Sequence, residues 1–387
     1  MHASGQFKRR CGGSNKRSLL LNTALVLAIT NRASPLCSQN KTGKKLKPQF
    51  HASACLVRAC YARKRLNKHL FIVLLIMKIV ILDGATAKGK ELDFDFLNQF
   101  GDVTYYDTTS KEDVLPRAKD ADILVINKIV MDKDTLAECK NLKLITILAT
   151  GYNIVDIEAA KALGITVCNV PYYSTNSVAQ LTFAFILEFA CKLSLHTQSV
   201  ARGDWQRCKD FAYTLDTLHE LSGKTLGIIG YGSIGKKVAQ IGKAFGMNVL
   251  IGTRTPVEGC VSKEEVFKNA DFVTLHCPLN EQSKLMINEK SLALFKPTAY
   301  LINTARGGLI DENALAAALN SGKIAGAALD VLTSEPPKAD NPLIHAKNCI
   351  ITPHMAWASL EARVRLLHAT EDNVRAFLQN APINKVN

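Results

Sequence analysis

Three glycines, Gly230, Gly232 and Gly235, stand in G-x-G-x-x-G spacing directly after an apolar run of strand length, Leu226 to Ile229. Ile234, Val238, Ile241 and Phe245 then recur at helical intervals, and a second apolar run, Val249 to Ile251, follows. Strand, tight turn, helix and strand within about thirty residues form the βαβ unit that binds a dinucleotide. The first glycine makes the turn, the second lets the backbone approach a pyrophosphate, and the third lets helix and strand pack closely. The helix N-terminus supplies free N–H groups and a positive dipole end to the phosphates. Tyr231, Ser233 and Ile234 fill the loop between the glycines and join them as candidate cofactor-binding residues. An acidic residue about 20 positions further on normally takes the ribose hydroxyls. Thr253 holds that position here and Arg254 follows it. A small hydroxyl beside an arginine suits a 2′-phosphate, so the pair points to NADP(H), although backbone contacts can still hold NAD.

Other polar residues stand at the C-terminal ends of predicted strands, where open α/β sheets bind ligands. They are Arg306 in NTARGG, Glu335 in DVLTSEPP and His354 in TPHMAWAS. Each has a plain alternative: a surface arginine in a Gly-Gly turn, a solvated carboxylate before Pro-Pro, a turn histidine after a proline. Gly151, Tyr152 and Asn153 lie in another strand-end turn, whose backbone N–H groups can receive a carboxylate. Lys128, at a further strand end, adds positive charge over a cleft or is simply exposed. The eleven cysteines form no C-x-x-C pair, and no His/Cys cluster has zinc spacing, so no metal is expected.

The elements that position these residues alternate from Met77 onward. KIVILDG, VTYYD, ILVIN, LKLITILATG and ITVCNV read as strands, separated by helices at Phe94 to Phe100, Ser110 to Lys119, Asp132 to Cys139 and Ile154 to Leu163. One long helix is expected from Ser174 to Arg202, with Thr175, Asn176 or Ser177 as its cap, and Arg202 to Leu221 reads as irregular. After the glycine unit come strands DFVTLHCPL, AYLINTA, IAGAALDVL and CIITPHMA, with helices at Glu289 to Phe295, Asp311 to Leu319 and Ser359 to Gln379. Near-continuous apolar strands alternating with helices imply parallel sheets covered on both faces. The expected fold is therefore α/β, with a substrate domain from residues 77–175 and 360–387 and a dinucleotide-binding domain from 176–359.

At 387 residues, with 47% hydrophobic and 21% charged content, the chain fits a soluble two-domain enzyme. Its net charge of +14 resembles a nucleic-acid or membrane signal until it is located. Residues 1–76 carry 15 of the 48 Lys and Arg and none of the 34 Asp and Glu, so the remainder is close to neutral. No nucleic-acid or membrane partner is implied. The basic stretch has three readings: a secretory signal without a convincing cleavage site, a long transit peptide, or an upstream extension with Met77 as the natural start. The last is favoured, because KIVILDG begins a clean strand at once. Seven cysteines follow Met77, mostly within apolar runs, which fits free thiols in a reducing cytoplasm.

GYGSIG, LHCPL, NTARGG, ALDV with EPP, and TPH occur in that order, and with them the chain resembles the D-2-hydroxyacid dehydrogenase family from residue 77 to about 385. LATGYNIVDIEAAKALGI and YYSTNSVAQ are similar to its glycerate dehydrogenase, or hydroxypyruvate reductase, branch. The resemblance implies two doubly wound parallel-sheet domains, a flavodoxin-like one for the substrate and a Rossmann one for the cofactor, in a homodimer. It implies that Arg306 clamps the substrate carboxylate and polarises the C2 carbonyl, a task suited to a planar guanidinium. His354 would protonate the carbonyl oxygen as hydride arrives, and Glu335 would keep His354 protonated and oriented. Thr182, Cys277, Pro278, Thr304 and Asp330 match positions near the nicotinamide or its phosphates. Asp330 would contact the carboxamide, or else cap a turn. Ala149 departs from the family pattern, which has a glycine there. The expected reaction is reversible reduction of a short 2-keto acid, such as hydroxypyruvate, to its D-2-hydroxy acid. The rival reading is a dinucleotide-sensing corepressor on the same fold. Phosphoglycerate dehydrogenase is disfavoured because no regulatory domain follows residue 387, and formate dehydrogenase because that reaction needs no proton delivered by a Glu335–His354 pair.

Overall fold

The computed structural model describes residues 77–387, so the readings of residues 1–76 lie outside the described residues. Twelve strands form two sheets among the described residues. The first contains β1 (Lys78–Ile81), β2 (Asp102–Tyr105), β3 (Ile123–Ile126), β4 (Leu144–Ile147) and β5 (Thr166–Cys168), in the order β2-β1-β3-β4-β5. The second contains β6 (Thr225–Ile229), β7 (Asn248–Gly252), β8 (Cys260–Val261), β9 (Phe272–Leu275), β10 (Tyr300–Asn303), β11 (Gly326–Leu329) and β12 (Cys349–Ile351), in the order β12-β11-β10-β9-β6-β7-β8. Every pairing in both is parallel.

Parallel strands need crossover connections, and the helices that make them cover both faces. The strands are accordingly apolar on both sides: β3, β4 and β9 are buried at every residue. In the second sheet, Val273 and Leu275 face one core with Leu301 and Leu315. Phe272 faces the other with Ile302 and the Thr175–Cys191 helix. The C-terminal helix, Leu360–Leu378, packs Leu366, Leu367 and Val374 into the first sheet's core with Ile79 and Leu144. Its Asn373 amide donates to the Asn169 carbonyl at 2.9 Å, tying the chain's last helix to the end of β5.

Three local expectations are corrected. The span Ser174 to Arg202 is two helices, Thr175–Cys191 and Leu193–Ala201, bent by 61° about Lys192, whose φ of 51° is left-handed. The Lys192 ammonium meets Asp216 at 3.1 Å, and the Glu188 carboxylate accepts from the Ser194 N–H beyond the break, so tertiary contacts hold the bend open. The first of these helices starts after Ser174 without a side-chain cap. Ser177, one of the expected caps, instead donates to the Ala356 carbonyl at 2.6 Å. Ser110 does not cap a helix either. It closes a turn with Asp113, and the helix begins at Val114. A helix that the apolar pattern did not reveal, Lys263–Asn269, is capped by Ser262, which accepts from the Glu265 N–H. The S-x-x-E signature of a capping box was there to be seen. No single described helix is long and apolar enough to cross a membrane; the bent pair at Lys192 passes by length and composition only.

Candidate active site

The glycine loop leaves β6 at Ile229, and each glycine has a distinct geometric reason. Gly230 has φ +99°, and an added Cβ would lie 2.7 Å from the Cys277 nitrogen. At Gly235 a Cβ would lie 2.1 Å from the Gly230 carbonyl oxygen. Gly232 is different: nothing lies within 4 Å of an added Cβ, so it borders open space. It is also the N-cap of the Ser233–Ala244 helix and offers no side chain to the first-turn N–H groups. Open room in front of uncapped helix N–H groups fits an anionic pyrophosphate, so the residues present suit a dinucleotide.

Strand ends from both sheets line one cavity of about 310 Å³. Ser233, Ile234, Cys277, Pro278, Thr304, Arg306, Asp330 and His354 line it from the nucleotide side, and Lys128 and Gly151 from the other. Tyr152 and Asn153 share the Gly151 turn but do not line the cavity. Gly230, Tyr231, Gly232, Gly235, Thr182 and Glu335 do not line it either. Thr182 is fully buried, with its hydroxyl 3.3 Å from that of Thr304. Thr253 and Arg254 follow the end of β7, away from the cavity, where Arg254 donates to the Gln282 side chain at 3.1 Å.

Arg306 is placed by a rigid turn after β10. The Asn303 side chain accepts from the Ala305 N–H and donates to the Arg306 carbonyl, and Gly307 is pressed so closely on the end of β11 that a Cβ would lie 2.0 Å from the Leu332 carbonyl carbon. The guanidinium reaches across to Gly151, where an added Cβ would lie 2.6 Å from Nη2. Its Nη1 donates to the Ala305 carbonyl at 2.7 Å, and no carboxylate pairs with it among the described residues.

His354 follows β12 with φ 52°, a left-handed backbone that is uncommon outside glycine and is held here by a constraint. Asp330 supplies the constraint. Its carbonyl accepts from the His354 N–H, while its carboxylate accepts from the Thr352 hydroxyl and the Met355 and Ala356 N–H groups. Burial raises the Asp330 pKa despite these three donors. The Asp330 carboxylate thus caps the loop that carries the histidine, and it also lines the cavity. The His354 Nδ1 lies 2.6 Å from Glu335 Oε2, and Glu335 Oε1 accepts from the Leu332 N–H. Burial acts to raise the Glu335 pKa, but the His354 hydrogen bond and charge outweigh it and hold the carboxyl below its ordinary value. An ionised Glu335 only accepts, so Nδ1 carries the hydrogen and Nε2 is left for the cavity.

Several functional positions escaped sequence reasoning. Asp83, just past β1, accepts from the Asn127 and Lys128 N–H groups at 2.7 and 2.6 Å and so fixes the end of β3. Burial raises its pKa against those donors. Tyr173, Ser174 and Trp357 also line the cavity, as does His276 at the end of β9. Both His276 ring nitrogens are buried without a partner among the described residues, and burial pushes its pKa down to about 3. The available signal was position: each is a polar or aromatic residue closely following an apolar strand or preceding a long helix.

Residues 183–356 match the family model of the D-isomer specific 2-hydroxyacid dehydrogenase NAD binding domain. A hydroxypyruvate reductase of Blautia hydrogenotrophica is 42% identical over 321 residues, covering 80% of this chain and 100% of that one. A glycerate dehydrogenase of Methylorubrum extorquens is 42% identical over 311 residues, covering 80% and 98%. Among solved structures, D-lactate dehydrogenase from Aquifex aeolicus complexed with NAD and lactic acid superposes with a TM-score of 0.69 at 30% identity, covering 79% of this chain and 96% of that one. An acyclic imino acid reductase in complex with NADPH and D-Arg gives 0.72 at 32%, covering 80% and 100%. With a dinucleotide loop on one sheet and an arginine and a histidine–glutamate pair beside it, this chain belongs to the D-isomer specific 2-hydroxyacid dehydrogenases, nicotinamide-dependent oxidoreductases acting on CH–OH donors.

Proposed function

We propose that the protein reduces hydroxypyruvate to D-glycerate, preferring NADPH. The observation that carries this reading is the convergence of Arg306 and His354 on one cavity, with Glu335 2.6 Å behind the imidazole. The nicotinamide, when bound, supplies the hydride to C2. Arg306 holds the substrate carboxylate through paired N–H donors and draws charge from the neighbouring carbonyl. His354 delivers its Nε2 proton to the carbonyl oxygen, and Glu335 holds the ring in the orientation that leaves Nε2 free. In the reverse direction neutral Nε2 takes the proton from the hydroxyl. The two relatives named hydroxypyruvate reductase and glycerate dehydrogenase support the choice of substrate.

The NADPH preference rests on Thr253 and Arg254, where a carboxylate would repel a 2′-phosphate. Substrate and cofactor domains are assigned to residues 77–175 with 360–387 and to 176–359. A homodimer is supported by apolar side chains on one stretch, among them Leu193, Trp205 and Phe211, which is 92% exposed. A cytoplasmic setting is supported by seven free thiols among the described residues. The near-neutral charge of residues 77–387 supports neither nucleic acid nor membrane as a partner. The deciding experiment compares kcat/KM for a panel of short 2-keto acids with NADH and NADPH. Cofactor binding without turnover of any of them would favour a sensor. Arg254→Ala should weaken NADPH by about 10- to 100-fold and NADH far less, and Thr253→Asp should shift preference toward NADH. Equal effects on both cofactors would remove Arg254 as the reader of the phosphate.

A further inference from the structure

We infer that Lys128 is a specificity-determining residue that selects 2-keto acids carrying an oxygen on C3, an inference that rests on the functional reading above. Two cations face the same cavity, Arg306 from the end of β10 in one sheet and Lys128 from the end of β3 in the other. Neither is neutralised: no ion pair or hydrogen bond engages the Lys128 ammonium among the described residues, and Arg306 bonds only its own neighbour's carbonyl. The side chain of Lys128 is open to the cleft, yet the surrounding walls desolvate its ammonium, and the Arg306 charge adds repulsion. Together these lower its pKa, against weaker support from Glu335 and Asp83.

Holding two like charges in one partly desolvated site is unfavourable unless a ligand brings oxygen to both. The carboxylate common to all 2-keto acids takes Arg306, which is placed beside the proton-delivering His354. A second oxygen remains to be found for Lys128, and C3 is the next substrate atom that can bear one. Lys128 is also held more firmly than a surface lysine needs. Asp83 fixes its backbone N–H at 2.6 Å, and the neighbouring Asn127 amide donates to the Thr86 hydroxyl at 2.7 Å. A flexible stem on a fixed backbone presents its ammonium repeatedly to one part of the cavity. Such a donor discriminates, because a substrate lacking the oxygen leaves it desolvated and unpaired.

The test compares hydroxypyruvate with pyruvate, which differ by the C3 hydroxyl, in wild type and Lys128→Met. The ratio of kcat/KM for hydroxypyruvate over pyruvate should fall by about 10- to 100-fold in the variant, through KM for hydroxypyruvate more than through kcat. If both substrates lose equally, Lys128 holds the shared carboxylate and the inference is overturned. An unchanged ratio with unchanged constants overturns it too. Wild type that turns over neither substrate would bring down the functional reading itself, whereas turnover with an unmoved ratio brings down this inference alone.

Discussion

The two walls of the cavity are built differently. On the nucleotide side, Arg306 and His354 sit on short turns braced by local hydrogen bonds. Asn303 brackets the arginine turn, and Asp330 holds the histidine loop through one carbonyl and three carboxylate contacts. On the other side, Lys128 and Gly151 follow β3 and β4, and one carboxylate from a different strand, Asp83, fixes the Lys128 end. The first wall holds the proposed proton donor, and a proton transfer tolerates little displacement. The second presents an uncommitted ammonium and a bare glycine. The contrast teaches that the proposed proton donor and the proposed C3 contact stand on different sheets, so mutations of His354 and of Lys128 should separate kcat from KM.

The largest effect should come from the chemical wall. His354→Ala should lower reductive kcat by roughly 10²–10⁴, the usual contribution of a positioned general acid, while NADPH affinity measured by fluorescence stays nearly intact. A variant with near wild-type kcat would refute the assignment. Gly151→Ala tests whether the walls are independent, because its new methyl would meet the Arg306 guanidinium at 2.6 Å. The contact is with the end of a flexible side chain, so the arginine should shift and the fold should survive. We expect kcat/KM to fall by about 10-fold, the scale of one lost charge-assisted bond, with Tm unchanged. An unaffected enzyme would show that Arg306 works from another position.

How much of this was legible in the sequence follows the same division. The glycine loop is a local pattern, since its three residues and its helix lie on one short segment, and the structure keeps each at the expected turn. Arg306 and His354 stood out as strand-end residues, and the family resemblance supplied their roles. The clamp on Lys128 was not legible, because Asp83 lies 44 residues before Asn127 and meets it only through the β2-β1-β3 order of the sheet. Local periodicity carries no information about which strand becomes a neighbour. The break at Lys192 was hidden for a related reason. The apolar pattern runs on past it, and the bend depends on Asp216, 24 residues further along.

Asp83→Asn probes that non-local clamp with a smaller effect. The amide keeps one acceptor but turns a donor toward one of two backbone N–H groups, leaving it unsatisfied in a partly buried place. A loss of about 1–3 kcal/mol is expected, read as a lower Tm, together with a raised KM for hydroxypyruvate as the Lys128 backbone loosens. A variant with normal stability and normal KM would show that the β1–β3 contact does not position the cleft.

The smallest effect is a pH dependence, and Glu335 sets its direction. Its folded-state pKa lies below the ordinary 4.5, because His354 more than offsets burial. A depressed carboxyl pKa contributes stability that is fully present above the unfolded value and is lost as pH falls through the folded one. Wild type should therefore lose an increment of Tm below about pH 4.5 that Glu335→Gln, having no carboxylate to protonate, lacks. The partly exposed setting makes the increment small, so the informative quantity is the difference in Tm between the two proteins, followed from neutral pH into acid. That difference should narrow on acidification. A gap that stays constant throughout would mean that the Glu335–His354 contact adds no charge-dependent stability. The carboxylate would then serve only to orient the ring, and the histidine loop would rest on Asp330.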